Sequence, residues 1–186
     1  RYFACFKNQD FRICQEAVLI KTAGGNEFMF RTMRRKEKEI DIEKGKQLLK
    51  NSRRGVLAVN GDDGYPYAVP INYLYDESAQ KIYFHGAKAG HKFDSIKACD
   101  KVCFTVIGDE IIKNEKWAPY LQSVVVFGRC RLLDDGKQSI DLLKRFADKY
   151  YPNRTLIDEE TERVGAAVQM FEIEIEHISA KEIQEK

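Results

Sequence analysis

Residues Gly55 to Asp76 read GVLAVNGDDGYPYAVPINYLYD, and this stretch decides the fold. The apolar run from Gly55 to Asn60 has the length of a short strand, and a second such run extends from Tyr67 to Tyr75. The residues between them, Gly61 to Gly64, are of the types that favour the positive φ values of a tight turn. Pro70 cannot donate to a strand ladder, so we expect the second strand at a sheet edge or a bulge. The stretch therefore predicts an antiparallel hairpin.

The segments that follow predict further strands joined by short helices. An amphipathic spacing predicts a helix capped by Asp41, a second helix over Lys88 to Cys99, and a third that Pro152 terminates. A turn or two of helix is expected between Glu159 and Ala166. About six strands with a few helices between them favour a mainly β fold, a small antiparallel barrel with α-helical decorations. The remaining strands are predicted at Lys81 to His85, Val102 to Ile107, Ser123 to Leu133 and Val168 to Ile178.

Composition limits the classes of partner. The chain of 186 residues is 44% hydrophobic, which suffices for one domain with a full core. Its 31 basic and 29 acidic residues leave a net charge of +2, so no global field indicates nucleic acid or an anionic membrane as partner. No apolar run reaches the roughly 18 residues of a membrane span, and no signal peptide is recognisable, so we expect a cytoplasmic protein. The five cysteines form no CxxC pair and the three histidines are dispersed, so no metal site is expected.

The first 28 residues differ from the rest of the chain. They begin at Arg1 rather than at a methionine, and their phenylalanines and cysteines follow no period. We expect residues 1–28 to be an upstream extension or a cloning remnant, with the functional domain at residues 33–180. A native arm packed on that domain is the alternative.

The stretch from Ile82 to Lys97, IYFHGAKAGHKFDSIK, combines small residues with cationic ones where a strand turns into a helix. The small residues allow a close backbone approach, while His85 and His91 offer N–H donors. Lys88 and Lys92 supply positive charge, and the start of a helix favours anions. The pattern predicts an anion site, most simply for a phosphate, with a solvated connection as the alternative. It matches neither GxGxxG nor the phosphate loop GxxxxGK[ST].

Other polar and aromatic residues are compatible with a planar ligand. Asn72, two residues after Pro70, offers both a donor and an acceptor to the edge of a heteroaromatic ring, or is simply an outward residue of an edge strand. Ser123 could donate to the same ligand or cap its own strand. Trp117 could cover a ring or fill the core.

Four segments, in their order along the chain, resemble the pyridoxamine 5'-phosphate oxidase-like split-barrel flavoproteins, and among them the nitroimidazole-resistance (Nim) subgroup. The segments are GVLAVNGDDGYPYAVPINYLYD, KIYFHGAKAGHKFDSIK, KVCFTVIG and YLQSVVVFGRCRLLDDGKQSIDLLKRFADKYYP. The resemblance covers about residues 33 to 180. It implies a six-stranded antiparallel split β-barrel of the FMN-binding type. It also implies a homodimer with a flavin at the interface, FMN or alternatively FAD.

The resemblance also implies which residues contact the flavin. His85 is in addition our candidate for a proton donor, because its ordinary pKa lies close to physiological pH. The residues carried over are Val69, Pro70, Ile71 and Asn72 along the isoalloxazine ring, His85, Gly86 and Ala87 beneath the ribityl chain and phosphate, Gly90, His91 and Lys92 at the phosphate clamp, and Ser123 from a neighbouring strand.

One departure from the family pattern bears on the reaction. A true pyridoxamine 5'-phosphate oxidase needs further arginines for the substrate's own phosphate, and the C-terminal segment FEIEIEHISAKEI has none. The resemblance therefore implies a flavin-dependent oxidoreductase that reduces small electrophiles such as 5-nitroimidazoles, and not one that oxidises vitamin B6. A non-catalytic flavin-binding or storage protein and a haem-handling split barrel are the alternatives.

Overall fold

The computed structural model describes residues 30–114 and 116–184, and a compact unit begins at Met33. The predicted extension, residues 1–28, lies outside the described residues. In the described part, seven strands and four helices follow one another. They are α1 Ile42–Asn51, β1 Arg54–Asn60, β2 Pro66–Asn72, β3 Leu74–Asp76, β4 Lys81–Ala87, α2 His91–Ala98, β5 Lys101–Ile111, β6 Tyr120–Leu132, α3 Lys137–Asp148, α4 Arg154–Val164 and β7 Val168–Gln184.

All seven strands form one antiparallel sheet in the order β2-β1-β5-β6-β7-β4-β3. Its two edges are β2 and β3, which only Tyr73 separates along the chain. The sheet must therefore curl until its edges approach each other, which is the shape of a split barrel. This confirms the predicted fold class, with seven strands rather than six because the predicted strand from Tyr67 to Tyr75 is divided at Tyr73. The edge position of β2 also confirms the expectation for Pro70.

Tyr73 holds the two edges together. Its side chain is fully buried, and its hydroxyl donates to the carbonyl oxygen of Leu49 at 2.6 Å, in the last turn of α1. Its backbone N–H donates to the hydroxyl of Tyr150 at 2.7 Å. The Lys149 ammonium donates to the carbonyl oxygens of Ser52, at 2.6 Å, and Tyr73, at 3.2 Å. The C-terminal ends of α1 and α3 thus converge on the point where the sheet closes.

The core fills the inside of the curled sheet. Alternate residues of each strand face inward, as the two-residue period of a strand requires. The rings of Phe84 and Phe171, on paired positions of β4 and β7, stack with centroids 4.8 Å apart. The fully buried apolar strand residues include Leu57, Ile82, Phe84, Phe104, Val106, Val124, Val126, Phe171 and Ile173.

Several boundaries differ from the predicted ones. The polar loop predicted from Gly108 is shorter, because β5 continues to Ile111. Trp117 is 86% exposed, so it does not fill the core. The helix α4 begins at Arg154 and not near Glu159, because the Asn153 side chain accepts from the backbone N–H of Leu156 and caps it there. The last strand runs on to Gln184, where it pairs with the start of β6.

No helix in the described ranges is long and apolar enough to cross a membrane. The cytoplasmic location stays a prediction.

Replacing Tyr73 by phenylalanine tests the closure. Tyr73→Phe leaves the Leu49 carbonyl, at a helix end without a helical partner, unsatisfied in a buried place. We expect the free energy of unfolding to fall by about 1 to 3 kcal/mol, measured by urea denaturation. Tyr65→Phe is the matched control, because Tyr65 is 76% exposed and its loss should change little. Equal stability of the two variants would contradict the role of Tyr73.

Candidate functional site

A cleft of about 410 Å³ opens where β2 approaches β4. Its walls are Arg54, Pro70, Ile71, Asn72 and His85. The last four are residues that the resemblance assigns to a cofactor, although they come from two segments of the chain. They meet because the sheet curls at Tyr73 and brings the end of β2 beside β4.

Arg54 is the one wall residue that the sequence reasoning missed. In the β1–β2 hairpin, Asn60 lies opposite Pro66 and Arg54 lies opposite Asn72. Counting the register back from the turn would therefore have placed Arg54 beside Asn72. Its guanidinium forms no ion pair or hydrogen bond within the described part of the chain. It is available to an anionic or hydrogen-bond-accepting ligand.

His85 lies on the outward face of β4. Its ring contacts the ring of Phe146 edge to face, with centroids 4.8 Å apart and planes at 88°. Partial removal of the ring from water lowers the pKa of His85, and the nearby Lys92 ammonium lowers it further. At neutral pH the imidazole is therefore uncharged, with one N–H donor and one acceptor nitrogen.

Lys92 lies on the opposite face of β4 from His85. Its ammonium is 5.2 Å from the centre of the Phe84 ring and 5.6 Å from that of Phe171. A Cβ at Gly86 would lie 2.9 Å from this nitrogen, so a larger residue there would displace the end of the Lys92 side chain. Burial lowers the pKa of Lys92, and no acidic side chain in the described ranges pairs with it. The structure thus brings Lys92 and Gly86 together, with the cation at the end of the barrel interior.

Gly90 and His91 lie at the start of α2. Gly90 has a φ of 106°, a conformation that favours glycine, and for this reason the helix begins at His91 and not at Lys88. The His91 ring stacks on Tyr67 of β2 with centroids 4.0 Å apart, and its Nε2 is 3.6 Å from a carboxylate oxygen of Asp62. The predicted clamp residues are therefore neighbours in the chain whose side chains point in different directions.

The other predicted contacts are not among the residues that line this cleft. Val69 precedes the wall residues on β2, and Ala87 ends β4. Ser123 lies on β6, opposite Ile107 and Lys181, and three strands from β2 in the sheet order. It does not line the cleft, and its role stays a prediction. The ammonium of Lys88 is bound to Asp135 at 2.6 Å and so is not free for a ligand.

The cleft suits a planar ligand with a polar edge. Pro70 and Ile71 provide apolar contact, while Asn72, Arg54 and His85 provide hydrogen-bonding groups at one end. Its volume falls in the range of about 300 to 1,000 Å³ that is usual for small-molecule sites. No group of three or more histidine, cysteine or acidic residues within the described part could hold a metal ion.

Comparisons with known proteins agree with this architecture. A family model described as pyridoxamine 5'-phosphate oxidase matches residues 41–182. No curated protein matches the chain.

Solved structures share the fold. One is a candidate 5-nitroimidazole antibiotic resistance protein from Bacteroides thetaiotaomicron, with a TM-score of 0.64 and 14% identity over 77% of this chain and 85% of that one. A second is an FAD-binding protein from Mesorhizobium loti, with a TM-score of 0.56 and 25% identity over 77% and 96%. A third, an FAD and heme binding protein from Mycobacterium smegmatis, has a TM-score of 0.61 and 19% identity over 78% and 72%. At 14% and 19% identity the likeness establishes the fold alone.

Replacing Lys92 by methionine tests the electrostatics of the site. Lys92→Met removes a cation that disfavours protonation of His85, so we expect the pKa of His85 to rise toward its ordinary 6.5. An NMR titration of the imidazole measures this change. Lys88→Met is the control and should leave the pKa unchanged, because Asp135 already neutralises Lys88.

The same shift has a consequence for stability. The pKa of His85 is lower in the folded chain than in the unfolded one, so the folded state binds this proton less readily. The contribution of His85 is therefore complete above pH 6.5 and is lost as the pH falls toward the folded-state pKa. Lys92→Met should reduce that loss, and an unchanged or lower pKa in this variant would contradict the argument.

Proposed function

The chain belongs to the pyridoxamine 5'-phosphate oxidase family, and on that premise we propose that it is a flavin-binding oxidoreductase that reduces small electrophiles such as 5-nitroimidazoles. The observation that carries the proposal is the cleft that Pro70, Ile71, Asn72 and His85 line together with Arg54, which has no ion-pair partner among the described residues. The flavin we propose is FMN. FAD is the alternative, and it has support from the FAD-binding protein of Mesorhizobium loti, which is 25% identical.

The side chains of the cleft fit an isoalloxazine ring. The apolar surfaces of Pro70 and Ile71 would lie against the ring, and the Asn72 amide would bind the donor and acceptor atoms at its edge. The positive charge of Arg54 would stabilise negative charge that develops on the ring during reduction. These contacts would orient the ring and exclude water from it.

The fit to the phosphate depends on Lys92. Its half-buried ammonium lacks an acidic partner in the described residues, and burial lowers its pKa. A bound phosphate would provide the missing partner through charge-assisted hydrogen bonds. Gly90 at the N-cap of α2 has no side chain that could accept from the first backbone N–H groups of the helix, and this favours the same anion.

A bound flavin would supply the electron transfer itself. In this proposal His85 is the proton donor, and one of its ring nitrogens would hold the proton within the cleft. Oxidation of pyridoxamine 5'-phosphate is not proposed, because β7 carries no arginine for a substrate phosphate.

An anaerobic stopped-flow experiment tests the function. The purified protein should bind FMN, seen as flavin absorption bands, and after reduction by dithionite it should be reoxidised by a 5-nitroimidazole faster than free reduced FMN. Asn72→Leu removes the polar contact at the ring edge, so we expect its Kd for FMN to rise about tenfold. Asn114→Leu, in an exposed turn after β5, is the matched control and should bind like the parent protein.

Other results of this experiment would contradict the flavin, the reductase activity or the phosphate contact. A colourless protein that does not bind added FMN at micromolar concentration would contradict the flavin proposal, and a Soret band would favour the haem-handling alternative. If a nitroimidazole does not reoxidise the bound flavin, the result would contradict the reductase activity and favour the alternative of a flavin-binding or storage protein. A Lys92→Ala protein with undiminished affinity for FMN would contradict the phosphate contact.

We further propose a homodimer with the flavin at its interface. The outward face of the sheet carries exposed apolar residues on adjacent strands, among them Val56, which is 37% exposed, and Ile107, which is 60% exposed. Val56 lies opposite Pro70 on one side and Thr105 on the other, so this surface adjoins the cleft. A second copy packed on it would bury the apolar residues and close the open side of the cleft.

Sedimentation velocity tests the dimer. We expect a species of twice the 21.5 kDa chain mass. Val56→Asp places a charge on the proposed interface and should shift the protein toward the monomer and weaken FMN binding. Leu156→Asp, on the exposed surface of α4, should do neither. A parent protein that is monomeric and still binds FMN tightly would contradict the proposal.

A further inference from the structure

A second cleft, of about 830 Å³, adjoins the first. One wall is the face of α1 that carries Lys44, Gln47 and Asn51, and the opposite wall includes Ile107 of β5. Arg54 lines both clefts. A ligand in the second cleft would therefore lie beside whatever occupies the first.

Several polar groups on the α1 wall have no partner. The side chains of Lys44, Gln47 and Asn51 form no hydrogen bond or ion pair within the described residues. Their spacing of three and four residues along α1 puts them on one face of the helix. Lys46 of the same helix differs, because its ammonium is bound to Glu43 at 2.8 Å. The cleft is therefore lined by α1 side chains that have no hydrogen-bond or ion-pair partner among the described residues.

The charge of this cleft favours an anionic ligand. Arg54 is a cation without an acidic partner in the described ranges, and Arg53 donates only to backbone carbonyl oxygens. Lys44 forms no direct ion pair there, and its only electrostatic neighbour among the described carboxylates is Glu182, which is already bound by Gln122 and Lys113. Of the two lining carboxylates, Glu43 is already paired with Lys46, which leaves Asp109.

The position of this cleft separates it from the phosphate end of the flavin site. His91, at the predicted phosphate clamp, stacks on Tyr67 near the start of β2, whereas Arg54 lies opposite Asn72 at its end. Five residues of strand separate these points by about 16 Å. The second cleft therefore lies at the ring end, where a second molecule would approach, and not beyond the phosphate, where the adenylate half of FAD would extend.

We propose that the second cleft binds the electron donor, a reduced nicotinamide dinucleotide. Lys44 binds its pyrophosphate, and Gln47 and Asn51 bind the edges of its planar groups. An uncharged nitroimidazole would use neither the cations nor most of the volume. The inference rests on the proposed function, since the flavin in the first cleft receives the electrons.

The electron transfer balances. The dihydronicotinamide loses one hydride from C4 and becomes oxidised nicotinamide. A flavin held in the first cleft would supply the acceptor for that hydride, together with one proton from solvent. A nitro acceptor then receives two electrons and two protons, which leaves a nitroso group and one water molecule.

Binding and kinetics on the flavin-loaded protein test this site. ADP-ribose, which carries the pyrophosphate without the nicotinamide, serves as a non-reducing probe in calorimetry. Lys44→Gln should raise its Kd about tenfold, because one charge-assisted contact is lost. The same variant should show a raised KM for NADH, with unchanged FMN affinity and unchanged reduction by dithionite. Lys46→Gln is the matched control and should alter none of these values.

The outcomes separate the two proposals. If ADP-ribose does not bind the flavin-loaded protein, or if both lysine variants behave alike, the donor site is wrong while the flavin site stands. The same holds if dithionite reduces the bound flavin and NADH does not. If FMN itself does not bind, the proposed function fails, and the donor role fails with it.

Discussion

The structure depends on the single residue that joins the two edges of the sheet. β2 ends at Asn72 and β3 begins at Leu74, yet these strands are the first and last of seven. An open, gently twisted sheet cannot satisfy that connection, so the sheet curls and Tyr73 is buried where its edges meet. The closure also encloses a cation, because Lys149 donates to the carbonyls of Ser52 and Tyr73, and burial lowers the pKa of Lys149 to about 8. A charged amine in this position is unfavourable on its own, and the two carbonyl oxygens compensate for part of the lost hydration.

The candidate site is a consequence of this closure. Asn72 lies on the edge strand β2 and His85 on β4, the neighbour of the other edge strand β3, and they face one cleft because Tyr73 draws the two edges together. The hairpin register adds Arg54 to the same cleft through its pairing with Asn72. A packing constraint in the barrel therefore determines which polar groups can act on one ligand, and this link connects the stability of the fold to its proposed chemistry.

The bonding partners of each cationic side chain indicate whether that side chain stabilises the fold or is available to a ligand. Lys46 and Lys88 are bound to acidic side chains, and Lys149 is bound to backbone carbonyls. Lys44, Arg54 and Lys92 have no such partner within the described chain, and each faces a cleft or the barrel end. Since the net charge is only +2, these local differences and not a global field indicate where anions bind. The proposed flavin phosphate and the proposed donor pyrophosphate are the anions that they fit.

The sequence by itself determined the local features: the hairpin around Gly61 to Gly64, the edge position of Pro70, and most of the helices and strands. These follow from turn chemistry and periodicity, which act over a few residues. Only the tertiary structure decided the break at Tyr73, the inward direction of Lys92, the stacking of His91 on Tyr67, and the second cleft at Arg54. These features depend on which strand edges meet and on where long side chains find room, and both are set by contacts between segments far apart in the chain.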